Sequence, residues 1–228
     1  MKRAFPILAI LTAGLLSYGL YEALVAAPTD QLQGNVYRII YYHVPSAWTA
    51  FLMFLINFVA SVTYLIRRNV KADAIAVVTA EVGVVYCTIV LVTGPLWARP
   101  VWGIWWTWDM RLTSTLVLWL IYVSYLFLRK FSSGSQTPVL AAALAIFGAL
   151  DVPLVYFSIW FFRTQHPQPV IGGGGSIDPR MLHVMLLNWA AFLCFAGLVC
   201  WSRYRLEILQ REVEETQALE ALLDRRPQ

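Results

Sequence analysis

The stretch from Ala76 to Leu96, AVVTAEVGVVYCTIVLVTGPL, decides the fold, because a single carboxylate, Glu81, stands among residues that are otherwise apolar, small or lightly polar. A bilayer core of about 30 Å takes roughly 20 residues of helix, which is the length of this run. Five more runs of this kind flank it, near residues 5–26, 44–66, 113–131, 137–161 and 181–203. Backbone groups in lipid must pair within their own segment, and no run has the strict alternation of a barrel strand, so each is expected to be a helix. The expected fold class is an all-α integral membrane protein with six transmembrane helices. Residues 1–203 form its one membrane domain, 97–112 an outer loop rich in tryptophan, and 204–228 an amphipathic tail. Composition agrees: the 228 residues are 59% hydrophobic and 13% charged, which excludes a water-soluble globule.

Basic residues set the orientation, since loops left in the cytoplasm carry the excess of Lys and Arg. Lys2 and Arg3 precede the first span, Arg67, Arg68 and Lys71 join the second to the third, and Arg129 and Lys130 join the fourth to the fifth. Arg203, Arg205, Arg211, Arg225 and Arg226 follow the sixth, so both termini are expected in the cytoplasm. The first run ends in Val25-Ala26-Ala27, which has the small residues of a leader cleavage site, but it is longer than a leader core and reads better as a retained helix. In the tail, Leu206, Leu209, Val213 and Leu223 recur at roughly helical spacing, as either a docking surface or a solvated helix on the membrane face.

Several chemistries are absent from the sequence. Cys87, Cys194 and Cys200 lie in apolar runs without metal-ligand spacing and read as small buried residues. No CxxCH is present for covalent haem attachment, and Gly172 to Gly175 form a turn rather than a phosphate loop. The net charge of +4 is spread over loops, with no nucleic-acid patch. Glu81 is expected to pair with Arg67 or Lys71, and Asp151, in the fifth span, to be protonated or hydrogen-bonded.

The outer loops carry the unusual residues. Trp97, Trp102, Trp105, Trp106 and Trp108, half of the ten tryptophans, fall between spans three and four. Gly94, Pro95, Pro100 and Gly103 beside them resist a simple continuation of helix. Interfacial rings account for one or two tryptophans per helix end, whereas several flat faces on one loop suit a large, flat, apolar ligand. The three histidines, His43, His166 and His183, fall on that same side. Each alone reads as a hydrogen-bonded interfacial residue. Together with the tryptophans they admit axial ligation of haem iron, with Arg38, Arg99, Arg111 and Arg163 as counter-charges for propionates or as headgroup contacts.

The run Trp102-Gly103-Ile104-Trp105-Trp106-Thr107-Trp108-Asp109-Met110-Arg111-Leu112-Thr113 resembles the tryptophan-rich WGxWWxWDxRLT motif, the WWD motif, of the haem-handling membrane proteins of cytochrome c biogenesis. Length and span number are similar to the CcmC family, the haem exporter proteins C, and Arg38-Ile39-Ile40-Tyr41-Tyr42-His43-Val44-Pro45 resembles its RIIYxHVP segment. The resemblance implies that His43 and His166 are the axial ligands of a transient, non-covalent haem b, with Trp102, Trp105, Trp106, Trp108 and Asp109 against the macrocycle and Arg38, Arg99 and Arg111 near its carboxylates. Phe161 and Phe162 stand where the family pattern has tryptophan, Gln165 where leucine is usual, and Asp151 where Asn is expected; His183 receives no role. The resemblance further implies a site on the periplasmic face of the bacterial inner membrane, delivery to a CcmE-type chaperone, and association with the ABC-transporter subunits CcmA and CcmB and with CcmD. The chain itself has no nucleotide motif and no legible acid, base or nucleophile constellation, so the expected role is binding and transfer rather than enzymatic catalysis. The alternative is a subunit of a haem or small-solute permease that binds no haem stably, although Glu81 and Asp151 alone offer little to line a polar route.

Overall fold

The computed structural model describes residues 4–169 and 177–223, and within them the protein is helical, apart from one isolated bridge between Asp30 and Gly34. The Gly172–Gly175 turn and the basic residues Lys2, Arg3, Arg225 and Arg226 lie outside the described residues. Six helices are long and apolar enough to cross a membrane. They are α1 (Ala4–Tyr21, prolonged by a π turn to Ala26), α2 (Ile40–Arg67, entered through a 3-10 turn from Asn35), α3 (Val70–Trp102), α4 (Met110–Phe131), α5 (Thr137–Phe161) and α6 (Pro179–Leu223).

Short turns make neighbours antiparallel. Arg68, at φ 51°, closes α2, and the Asn69 side chain at once caps α3 by accepting from the Lys71 and Ala72 amides at 2.9 and 3.3 Å. The helices bearing Arg67, Lys71, Arg129 and Arg203 therefore bring those residues to one end of the bundle, while His43, Arg99, Arg111 and His166 come to the other.

Two helices run further than the sequence reading allows. Pro95 and Pro100 lie inside α3, which continues to Trp102. Membrane helices tolerate proline where neighbours re-satisfy the backbone. The real stop is Gly103, whose left-handed conformation (φ 80°) lets its amide donate to the Arg99 carbonyl at 3.0 Å. Asp109 then caps α4 by accepting from the Leu112 amide at 3.0 Å, which shortens the expected loop 97–112 to the connection between Gly103 and Asp109. Likewise α6 passes through residue 203 without a break, so residues 204–223 continue the sixth helix.

The core lies where α2, α3, α4 and α5 meet. Phe54 of α2 stacks on Tyr122 of α4 with centroids 3.9 Å apart, and Gly83 lets α3 lie against them, since a Cβ there would come within 2.5 Å of the Phe54 ring. Small residues at such crossings let helices touch where lipid supplies no hydrophobic drive. Polar groups tie the bundle together: Asn57 Nδ2 donates to the Ala76 carbonyl at 2.6 Å, and Tyr86 Oη to the Phe192 carbonyl at 3.0 Å. Helix α1 packs on α6, with Phe5 against Trp201 and Asn188 Nδ2 donating to the Gly19 carbonyl at 3.2 Å.

Two expectations are corrected here and a third is narrowed. Glu81 pairs with Arg203 through two contacts of 2.8 Å, not with Arg67 or Lys71, because α6 crosses α3 at that level. Cys194 faces outward, whereas Cys87 is buried and Cys200 half-buried. Asp151, expected to be protonated or hydrogen-bonded, keeps a buried Oδ2 with no hydrogen-bond partner among the described residues, and the protonated alternative stands.

Candidate functional site

His43 stands in the first turn of α2, and its Nδ1 lies 2.8 Å from Thr93 Oγ1 on α3. His166 follows α5, held by the chain around it: its amide donates to Thr164 Oγ1 at 3.1 Å and its Nδ1 donates to the Pro167 carbonyl at 2.8 Å. A carbonyl only accepts, so the proton of the neutral His166 ring sits on Nδ1 and its Nε2 lone pair is left for a metal. Burial, reinforced by Arg111 and the His43 ring, pushes the His166 pKa down from 6.5 to about 3, against the weaker pull of Pro167 and Asp109. At neutral pH the ring is uncharged, which is the ligating form.

The two imidazoles come from elements more than a hundred residues apart, yet their centroids lie 6.4 Å from each other with planes inclined at 31°. Two metal–imidazole bonds of about 2 Å each, plus the two ring radii, come to about 6 Å, so the separation accommodates one metal atom. Both rings border a cavity of about 830 Å³ whose wall is overwhelmingly apolar. Trp97, Trp102 and Trp106 line it from α3 and the connection to α4, and Trp48 and Trp189 line it from α2 and α6. Arg111, in the first turn of α4, is the one arginine on its wall; its Nη1 approaches the Val155 and Tyr156 carbonyls only at 3.4 and 3.3 Å. Trp106 Nε1 and Trp189 Nε1 are buried without a partner among the described residues. A hydrophobic chamber with two imidazoles, one cation and spare indole donors suits a flat metal-bearing ring with acidic substituents, and haem meets that description.

The remaining residues singled out from the sequence do not line this cavity. Trp105 and Trp108 are exposed, at 56% and 77%. Asp109 serves the α4 cap and accepts from Thr107 Oγ1 at 3.1 Å. Arg38 donates to the Ala23 and Ala27 carbonyls at 2.7 and 2.9 Å and so closes the end of the π turn. Arg99 donates to the Gly103 carbonyl, and Arg163 is exposed. His183 is exposed beside a separate shallow depression with Glu22 and Arg180. The structure adds Trp48, Trp189 and Thr93, which sequence reading missed. On α2 the lining residues His43, Ala47 and Phe51 follow helical spacing, and Trp48 lies beside that face. At the rim, Gln33 Oε1 accepts from Trp97 Nε1 at 2.8 Å and pins the loop before α2 over α3.

A family model described as Heme exporter protein C matches residues 1–219. The chain belongs to the haem exporter protein C family. A protein named Heme exporter protein C from Bradyrhizobium diazoefficiens is 36% identical over 222 residues, covering 96% of this chain and 84% of that protein. Its namesake from Escherichia coli K12 is 34% identical over 221 residues, covering 96% and 90%. A putative cytochrome c biosynthesis ccmC-like mitochondrial protein of Marchantia polymorpha is 34% identical over 185 residues, covering 81% and 79%. For this member of the haem exporter protein C family the match takes in all the elements that build the cavity, from the loop before α2 to the start of α6.

Proposed function

We propose that the protein holds one non-covalent haem b in the cavity beneath the connection between α3 and α4 and releases it to a haem chaperone of the CcmE type during maturation of c-type cytochromes. The observation that carries this reading is the pair of imidazoles, His43 and His166, 6.4 Å apart over an apolar chamber. His166 presents Nε2 because Pro167 occupies Nδ1, and His43 approaches from the opposite element. Trp97, Trp102 and Trp106 exclude water from the chamber and offer π faces to a macrocycle, and Arg111 supplies the cation for a propionate. Bound haem contributes its iron, to which the two imidazoles coordinate.

The chamber lies at the end of the bundle away from Arg67, Lys71, Arg129 and Arg203, and the positive-inside rule assigns that end to the periplasmic side of the inner membrane, with both termini in the cytoplasm. Handover is a binding event and not an enzymatic one. The protein works beside the ATP-hydrolysing CcmA, with CcmB and CcmD, and the names of its relatives support this setting in cytochrome c biogenesis.

The test is purification from haem-replete cells with Soret and pyridine haemochrome spectra, for the unaltered protein and for His43→Ala, His166→Ala and His183→Ala made singly. About one haem per chain, lost or spectrally altered in the first two variants and spared in the third, is the expected result. Absence of haem from the unaltered protein favours a permease subunit, and sensitivity to His183 alone overturns the ligand pair.

A further inference from the structure

We infer that Thr93 is the positioning residue for His43: its hydroxyl fixes the imidazole in the Nδ1–H tautomer and so leaves the lone pair on Nε2, the nitrogen then available to a metal. This rests on the proposed haem-binding reading and adds to it a residue that is not part of the cavity wall.

The number of protons available fixes which group donates. A threonine hydroxyl has a single hydrogen, and Thr93 Oγ1 lies 2.6 Å from the Ile89 carbonyl one turn back, with the Val90 carbonyl at 3.4 Å. Those carbonyls only accept, so the hydroxyl hydrogen is committed to the helix. Toward His43, 2.8 Å away, Oγ1 can then only accept, and Nδ1 must bring the proton. A neutral imidazole has one N–H, so Nε2 carries the lone pair. β-branching limits the rotamers of Thr93 within α3, which holds the acceptor still. His166 reaches the same tautomer by another route, the Pro167 backbone carbonyl. Of the two devices, only that of His43 depends on a side chain and can be removed by substitution.

At the next position along α3, a Cβ on Gly94 would meet His43 Cε1 at an ordinary packing distance of 3.5 Å, so α3 lies directly against this ring. Partners that orient a ligating histidine through its second nitrogen change metal affinity by about 10–100-fold when removed.

The experiment has two parts. First, the full chain, haem-free and in detergent, is labelled with 15N-histidine, and the His43 resonances are assigned by their loss in His43→Ala. Protonated Nδ1 and unprotonated Nε2 are expected at neutral pH, and the reverse overturns the inference without any substitution at Thr93. Second, ferric haem titrations with optical and electron paramagnetic resonance detection compare Thr93→Val, which keeps the shape and removes the acceptor, with Thr93→Ser, which keeps it. Thr93→Val is expected to lose about tenfold in haem affinity and to shift the ligand-field spectrum, and Thr93→Ser to restore both. Haem spectra that ignore His43→Ala sink the ligand assignment itself. Spectra that respond to His43→Ala but not to Thr93→Val sink only the role of Thr93.

Discussion

His166 shows how one residue links burial to pH. Its folded pKa of about 3 lies below the ordinary 6.5, so between those values the unfolded chain binds a proton that the folded chain refuses. The contribution of this ring to stability is complete above pH 6.5 and is lost progressively as pH falls toward 3. In haem-free protein, the melting temperature of the native chain should therefore fall more between pH 7 and pH 4.5 than that of His166→Phe, as followed by circular dichroism. The tryptophans divide at the same scale. Trp106 lines the cavity and Trp108 is 77% exposed, so Trp106→Ala should reduce haem content several-fold while Trp108→Ala leaves it near native, both read from the pyridine haemochrome. Exposed rings at a helix end are better explained as an interfacial belt than as cavity wall.

Among the elements, α3 does the most to assemble the site and to anchor its far end. On one continuous rod, through its two prolines, it brings Gly94, Trp97 and Trp102 to the cavity and Thr93 to His43. At its other end, buried Asp73 receives Arg129 of α4 at 2.6 and 2.8 Å and Arg211 of α6 at 2.8 Å, so three helices share one carboxylate. Removing a buried carboxylate strands its cations and typically costs about 3 kcal/mol or more. Asp73→Ala should therefore lower the thermal unfolding midpoint of the purified protein sharply. Arg211→Ala should do so less, because Arg129 remains and the Arg211 side chain is 24% exposed. The same cluster explains why α6 continues past residue 203: Arg203 on Glu81 and Arg211 on Asp73 bind its lower turns to α3.

For the whole molecule, the consequential property is polarity across the membrane. Odd and even connections alternate between an end rich in Arg and Lys and an end that holds the cavity. A reporter active only in the cytoplasm should work when fused after α6 and fail when inserted between Gly103 and Asp109. The opposite pattern would place the chamber inside the cell and remove the proposed route to a periplasmic chaperone.

The number and approximate limits of the spans, their helical nature and the clustering of His43, His166 and the tryptophans on one side were all legible in the sequence. Each follows from local rules: the length needed to cross a hydrocarbon core, the need to pair backbone groups within a segment, and the sidedness of basic loops. What the sequence could not decide was which of those residues meet. Proline looked like a helix stop until packing carried α3 through Pro95 and Pro100, which turned Trp97 and Trp102 inward. Nor could the sequence show that Arg38 and Arg99 donate to backbone carbonyls while Arg111 stands on the cavity wall. Thr93 carried no signal, since a threonine in an apolar span is ordinary until a neighbouring helix sets a histidine 2.8 Å from it. Periodicity and charge act along the chain and can be read there, whereas a hydrogen bond between helices depends on their crossing and rotation, which only tertiary packing fixes.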